Sequence, residues 1–352
     1  MEFLTDYGLF LAKAATIVAA IMITAGSLAA LAMKQKKSSE KQLEITHLNK
    51  RYEEMEGAVS TSTMSPVAMK QKIKMDKKKA KQEAKAEKKS SKASLKDEKE
   101  EKRKRLFVIN FDGDIKATSV ESMRQEISAI LTDATPDDEV LVRLESSGGI
   151  VHGYGLGASQ LKRIRDKEIQ LTVSVDKVAA SGGYMMACVA NKIIAAPFSI
   201  IGSIGVLAQI PNLNRLLKKH DVDFEQLYAG EYKRTLTLFG ENTDKGRQKM
   251  QADLEETHTL FKEFVKSQRP DLDIDKVSTG EHWLGTRALE LGLVDNLQTS
   301  DDYLMSRRKN VEIVEVKYTE KSSLSDKLSK FMSSIRLSKA REMEDINKPM
   351  LL

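Results

Sequence analysis

A hydroxyl beside two glycines stands inside an apolar run at residues 178–184, VAASGGY. Ser181 could be part of a tight turn and nothing more. It could also be a nucleophile held at a strand-to-helix corner, with bare backbone around it to hold an anion. A second glycine pair, Gly148-Gly149 in ESSGGIVHGYG at 145–155, directly follows the strand-like EVLVRLE. Glycine admits backbone shapes closed to other residues and leaves its N–H groups uncovered. A helix-compatible stretch follows each pair, so both sets of donors would lie near a helix N-terminus, where anionic charge is favoured. A βα turn would explain either pair alone. Together they fit a nucleophile opposite an oxyanion hole, with the N–H groups of Gly149 and Gly182 as donors. No GxxxxGK[ST] pattern is present, which argues against a phosphate-binding loop.

A serine nucleophile needs a base. Of the five histidines, His47 lies in a Lys/Glu-rich stretch, and His220, His258 and His282 read as surface or helix positions. His152, in the first glycine turn, is the one histidine placed for a triad. A lysine can serve instead if burial lowers its pKa from about 10.4 toward neutrality, a destabilisation of roughly 4 kcal/mol for about three units. Lys233, in LYAGEYKRTLTLFG at 227–240, lies beyond an expected strand and a glycine turn, but composition alone would not select it. Cys188, the single cysteine, excludes a disulfide framework and a cysteine-based zinc cluster. It reads as a small buried apolar residue.

The elements that must position these residues begin abruptly at Leu106. LFVIN, EVLVRLE and IQLTVSV read as strands, alternating with helices at TSVESMRQEISAILTDA and YGLGASQLKRIRD. Thr118 or Ser119 is the expected N-cap of the first helix. KIIAAP and SIGVLA are further expected strands, and TDKGRQKMQADLEETHTLFKEFVKSQ is a long amphipathic helix closed by Arg269-Pro270. A short helix, TRALELG, and a last strand, VEIVEVKY, complete an α/β domain over 106–318 with a largely parallel sheet. Both glycine turns then sit at one carboxyl edge, where open α/β sheets place their ligands. Residues 178–208 are apolar enough to mimic a membrane span, but Asn191, Lys192, Pro197 and four glycines cut them into core-sized pieces.

Upstream, Ala14 to Met33 runs uncharged, long enough as a helix to cross roughly 30 Å of hydrocarbon. Glu2 and Asp6 precede it where a cleaved signal peptide needs basic residues, so an uncleaved anchor at 14–33 is favoured, after a flank at 1–13. Lys34, Lys36 and Lys37 bias the C-terminal body toward the cytoplasm, although one helix leaves the side open. Residues 34–105 read as a Lys/Glu-rich flexible tether, and 319–352 as a helical or loose tail. The net charge of +6 comes from lysines crowded into that tether rather than spread over a folded face, which argues against nucleic-acid binding.

AASGGY at 179–184, the turn at 148–149, GSIGV at 202–206, GEYK at 230–233 and LELGLVD at 289–295 occur in an order that resembles the signal peptide peptidase A family of membrane-anchored serine peptidases. The resemblance covers the apolar span and roughly residues 106–300. It implies a Clp protease/crotonase-like superhelical fold and a Ser–Lys dyad. Ser181 matches the nucleophile, Lys233 the general base, and Ser203 the serine that orients the lysine. Gly149 and Gly182 match the oxyanion donors. No metal or other cofactor is implied. The implied partners are peptide or unfolded-protein substrates, the bacterial inner membrane, and further copies of the chain, since active sites in this family are often built across subunits. Ser147 departs from the pattern: the family usually has proline there, whose ring would stiffen the turn. An inactive membrane-tethered scaffold and a crotonase-like acyl-CoA enzyme are the rival readings. The latter needs acid–base carboxylates at the glycine turns, where only Glu145 stands.

Overall fold

The computed structural model describes residues 42–63 and 104–319, with isolated positions 8, 13, 16 and 22. The expected anchor at 14–33, with the flank before it and the tail beyond 319, lies outside the residues described as a continuous chain. Among the described residues no helix is long and apolar enough to cross a membrane. Ile45–Lys317 form one compact unit.

Sequence periodicity sets the central strands and helices. Strands β2 (Arg105–Gly113), β3 (Glu139–Ser146) and β4 (Gln170–Val175) are rich in apolar residues and bury consecutive positions, as strands covered on both faces must. Val108, Leu141, Val142, Leu171 and Val173 are fully buried. Helix α2 (Val120–Leu131) turns Val120, Met123, Ile127 and Ile130 inward at helical spacing, and α3 (Val151–Arg165) buries Tyr154, Ala158, Leu161 and Ile164. The expected cap of α2 does not form. Ser119 has helical backbone angles and its hydroxyl donates to the Asp112 carbonyl, while Thr118 is held by the Asp114 carboxylate.

With β1 (Gln42–His47), β6 (Lys192–Ala195), β9 (Asn296–Leu297) and β10 (Glu312–Thr319), the main path of the sheet runs β1-β10-β2-β3-β4-β6-β9. From β10 to β9 every pair is parallel. At the end of β3 the sheet divides. Residues 139–143 pair with β4, but Ser146 pairs with Ala179 of β5 (Val178–Ala180). Strand β5 then pairs in parallel with β7 (Ile200–Gly202), and β7 pairs antiparallel with β8 (His282–Leu284). The fork at Ser146 is where the first glycine turn leaves the sheet.

Three expectations need correction. The tether is not featureless from 34 to 105: β1 and helix α1 (Leu48–Thr63) occupy 42–63. Leu48 packs in a core cluster with Val108, Leu141 and Ile313. Asn49 donates to the carbonyls of Arg308 and Val311 and accepts the Ile313 N–H. The strand expected at SIGVLA lies earlier, because Gly202 at φ +104 and Ser203 at φ +52 turn the chain out of extended geometry. No strand forms before the Gly230 turn. Residues 203–243 hold one helix, α5 (Asn214–Lys219), and otherwise irregular chain.

Candidate active site

Ser181 joins β5 to α4 (Gly182–Ala187) with φ +52 and ψ −118, a conformation a residue with a side chain adopts only under constraint. The constraint comes from both sides. Its N–H donates to the Gly202 carbonyl at 2.8 Å, and its carbonyl accepts the Met185 N–H at 3.0 Å. The corner tolerates no bulk: a Cβ at Gly182 would lie 2.4 Å from Cγ of Tyr154, and one at Gly183 2.6 Å from the Ser146 carbonyl oxygen.

The first glycine turn lies directly against this corner. Gly148 has φ +88, and a Cβ there would lie 2.7 Å from Cβ of Ser181 and 2.8 Å from the Gly182 nitrogen. At Gly149 a Cβ would fall 2.1 Å from the Ile115 carbonyl oxygen. Ser181, Gly149 and Gly182 line one cleft of about 220 Å³. Gly182 opens α4, where a helix N–H has no intrahelical acceptor.

The far wall of the cleft comes from helix α6 (Asp244–Gln268), started by Thr243, whose side chain accepts the Gly246 N–H at 3.1 Å. Thr257, Leu260, Phe261 and Phe264 face the cleft at helical spacing, opposite Val151, Met185 and Val206. The result is an apolar slot with a hydroxyl and two glycine backbones at one end. Sequence reading missed these wall residues, because periodicity marks them only as the apolar stripe of a helix. His258, read as a surface or helix position, does lie on α6; it is half-buried there, and its Nε2 is 3.2 Å from the Ile204 carbonyl oxygen, between Ser203 and Gly205.

Ser203 follows the register that sets Ala180 opposite Gly202, so Ser181 and Ser203 leave neighbouring strands side by side. The Ser203 N–H donates to the Glu281 carbonyl at 2.7 Å. Lys233 is not brought in. It is exposed on the irregular stretch and is not among the described residues lining the cleft. His152 is exposed and also absent from the lining. Cys188 is buried, and burial pushes its thiol up to about 12, so it is no rival nucleophile near neutral pH. Glu145 is paired with Lys177 at 2.9 Å. Among the described residues no group of acidic, histidine or cysteine side chains could hold a metal ion.

Residues 2–161 match the model of the peptidase family S49 N-terminal region, and residues 163–314 that of peptidase family S49. "Probable protease SohB" of Haemophilus influenzae is 51% identical over 329 residues, covering 94% of this chain and 93% of that protein. The chain belongs to peptidase family S49. Its enzyme class is accordingly that of a serine peptidase, as the ordered motifs around Ser181 implied. "Probable protease SohB" of Buchnera aphidicola subsp. Schlechtendalia chinensis is 52% identical over 309 residues, 87% of this S49 chain and 100% of that one. A solved 1510-N membrane-bound stomatin-specific protease with a substrate peptide aligns over 66% of this chain and 99% of its own. The TM-score is 0.42, at 15% identity.

Proposed function

We propose that this S49 peptidase is a membrane-anchored endopeptidase in which Ser181 attacks the peptide carbonyl and Lys233 is the general base. The observation that carries this reading is the left-handed backbone of Ser181 at a cleft it shares with Gly149 and Gly182. The neutral lysine amine takes the hydroxyl proton as Oγ bonds to the carbonyl carbon, and the N–H groups of Gly149 and Gly182 receive the oxyanion. The resulting ammonium passes its proton to the leaving amine as the C–N bond breaks. Water then attacks the acyl-enzyme, with Lys233 again removing the proton, and Ser181 leaves with its hydroxyl restored. Ser203 orients the lysine amine.

In this reading Lys233 works in an assembly. The stretch that bears it exposes Leu207, Leu227, Phe224 and Tyr232, with Leu227 94% exposed. A monomer seldom leaves such a patch uncovered, and the occupant is a second copy of the chain. Packing of copies removes water from the lysine, which favours the neutral amine that a base requires. The sheet that divides at Ser146 fits a Clp protease/crotonase-like arrangement. The span at 14–33 anchors the chain in the bacterial inner membrane. The apolar slot suits short extended apolar peptides, such as signal-peptide remnants or segments of membrane proteins.

The test is fluorophosphonate labelling of the full chain across pH. Labelling at Ser181, lost in both Ser181→Ala and Lys233→Ala, supports the dyad. Labelling that survives Lys233→Ala moves the base elsewhere, with His152 next. An assembled, folded protein that takes no label at any pH would be a scaffold.

A further inference from the structure

Behind the first glycine turn two buried hydroxyls form a directed chain of hydrogen bonds. Ser146 ends β3 at 2% exposure, and Tyr154 on α3 has no exposed surface. The Tyr154 hydroxyl donates to the Asp114 carbonyl oxygen at 2.7 Å. A phenol has one proton, so at the 2.5 Å contact between the two hydroxyls Ser146 donates and Tyr154 accepts. Ser146 Oγ in turn accepts the Gly148 N–H at 3.0 Å. The Gly113 carbonyl, 3.4 Å from Ser146 Oγ, is the weaker alternative for the same proton. The chain therefore runs from the Gly148 N–H through Ser146 and Tyr154 to the backbone just after β2.

The same elements hold both glycine donors. The Tyr154 ring lies against Gly182, where a Cβ would meet it. Ile115, next to the Asp114 carbonyl that Tyr154 grips, accepts the Ile150 N–H at 2.8 Å and abuts Gly149. Gly149 is thus gripped by its two neighbours, Gly148 through Ser146 and Ile150 through Ile115. Two successive glycines preceded by a serine have no stiffness of their own, so the direction of the Gly149 N–H must be set from outside.

We infer that Tyr154 and Ser146 are positioning residues for the oxyanion donors: their hydroxyl chain fixes the glycine turn, and the Tyr154 ring fixes the corner at Gly182. This rests on the proposed assignment of Gly149 and Gly182 as those donors. Tyr154→Phe keeps the ring against Gly182 and removes the proton that ties the chain to Asp114. Ser146→Ala removes the acceptor of the Gly148 N–H. Neither residue lines the cleft, so neither change touches bound substrate.

The experiment measures inactivation of the full chain by an alkyl fluorophosphonate, with the limiting rate, kinact, separated from the binding constant, KI. The phosphoryl oxygen needs the oxyanion donors only as Ser181 attacks. Expected is a fall in kinact of about ten- to a hundredfold in either variant, with KI changed by less than about twofold. The double variant should be no worse than the poorer single one, because both cut one chain. If Tyr154→Phe does not fold, Ser146→Ala carries the same test. An unchanged kinact overturns the inference, and so does a parallel loss in kinact, KI and melting temperature, which marks general loosening. A wild type that takes no label removes the proposed chemistry and this inference with it. A labelled wild type with an indifferent Tyr154→Phe removes the inference alone.

Discussion

Ser181 and Ser203 both have φ +52, each just past the end of one of two strands that lie side by side. Holding a residue with a side chain in that region costs about 1–3 kcal/mol, and the surrounding bonds must over-determine it. At Ser181 the Gly202 carbonyl and the start of α4 do so; at Ser203 the Glu281 carbonyl does. At Gly148 a φ of +88 and the proximity of Ser181 together exclude any side chain. Gly148→Ala should lose fluorophosphonate labelling by about a hundredfold or more, the scale of a displaced oxyanion donor. It should also destabilise by about 1–3 kcal/mol from backbone strain. Labelling rate and thermal melting on the same sample check both, and a variant that labels normally would show that the turn has slack.

Helix α6 links this corner to the rest of the sheet, and its far end depends on an ion pair. Arg269, just past the helix, donates to both oxygens of Asp295, at 2.9 and 2.6 Å, and Asp295 also accepts the Ile193 N–H at 2.7 Å. Burial alone would raise the Asp295 carboxyl, but the Arg269 guanidinium and the Ile193 N–H more than offset it and hold the carboxyl below the ordinary carboxylate range. A carboxyl depressed in the fold contributes stability above its unfolded value of about 3.9, and loses it as pH falls through the folded value. Asp295→Asn should therefore melt lower than wild type at pH 7, with the gap closing as pH drops below about 4. A gap that stays constant with pH would show that the carboxylate charge is not what matters. The helix itself was legible in the sequence because its polar and apolar faces alternate cleanly from Thr243 to Gln268. The strand expected at SIGVLA was misplaced because β-branched composition cannot report the two left-handed residues at 202 and 203. Residues 42–63 were hidden because helix α1 buries only Leu48, which leaves no periodic stripe to read. The site was half legible: Ser181 and the glycines announce themselves by type and spacing, whereas Tyr154, Ser146 and the cleft wall act through contacts distant in sequence.

At the scale of the molecule, the proposed base and nucleophile pose a problem of delivery. The cleft is complete in one chain with respect to Ser181 and the two glycines, while Lys233 sits exposed on a stretch whose apolar side chains face outward. An interface between copies would cover that stretch, and Leu227, almost wholly exposed, is a side chain whose change leaves the core of its own chain untouched. Leu227→Glu puts a charge where burial is needed, so sedimentation should show smaller species than wild type. Because Ser181 and the glycines stay intact in each chain, the melting temperature of the catalytic unit should change little. Labelling should nevertheless fall toward the level of Lys233→Ala, since the lysine is no longer packed in place. Mixing Ser181→Ala with Lys233→Ala chains then asks where the base comes from: recovered labelling means that one copy supplies it to another. A Leu227→Glu protein that is monomeric and labels at the full wild-type rate would place Lys233 in its own chain's cleft and remove the need for assembly.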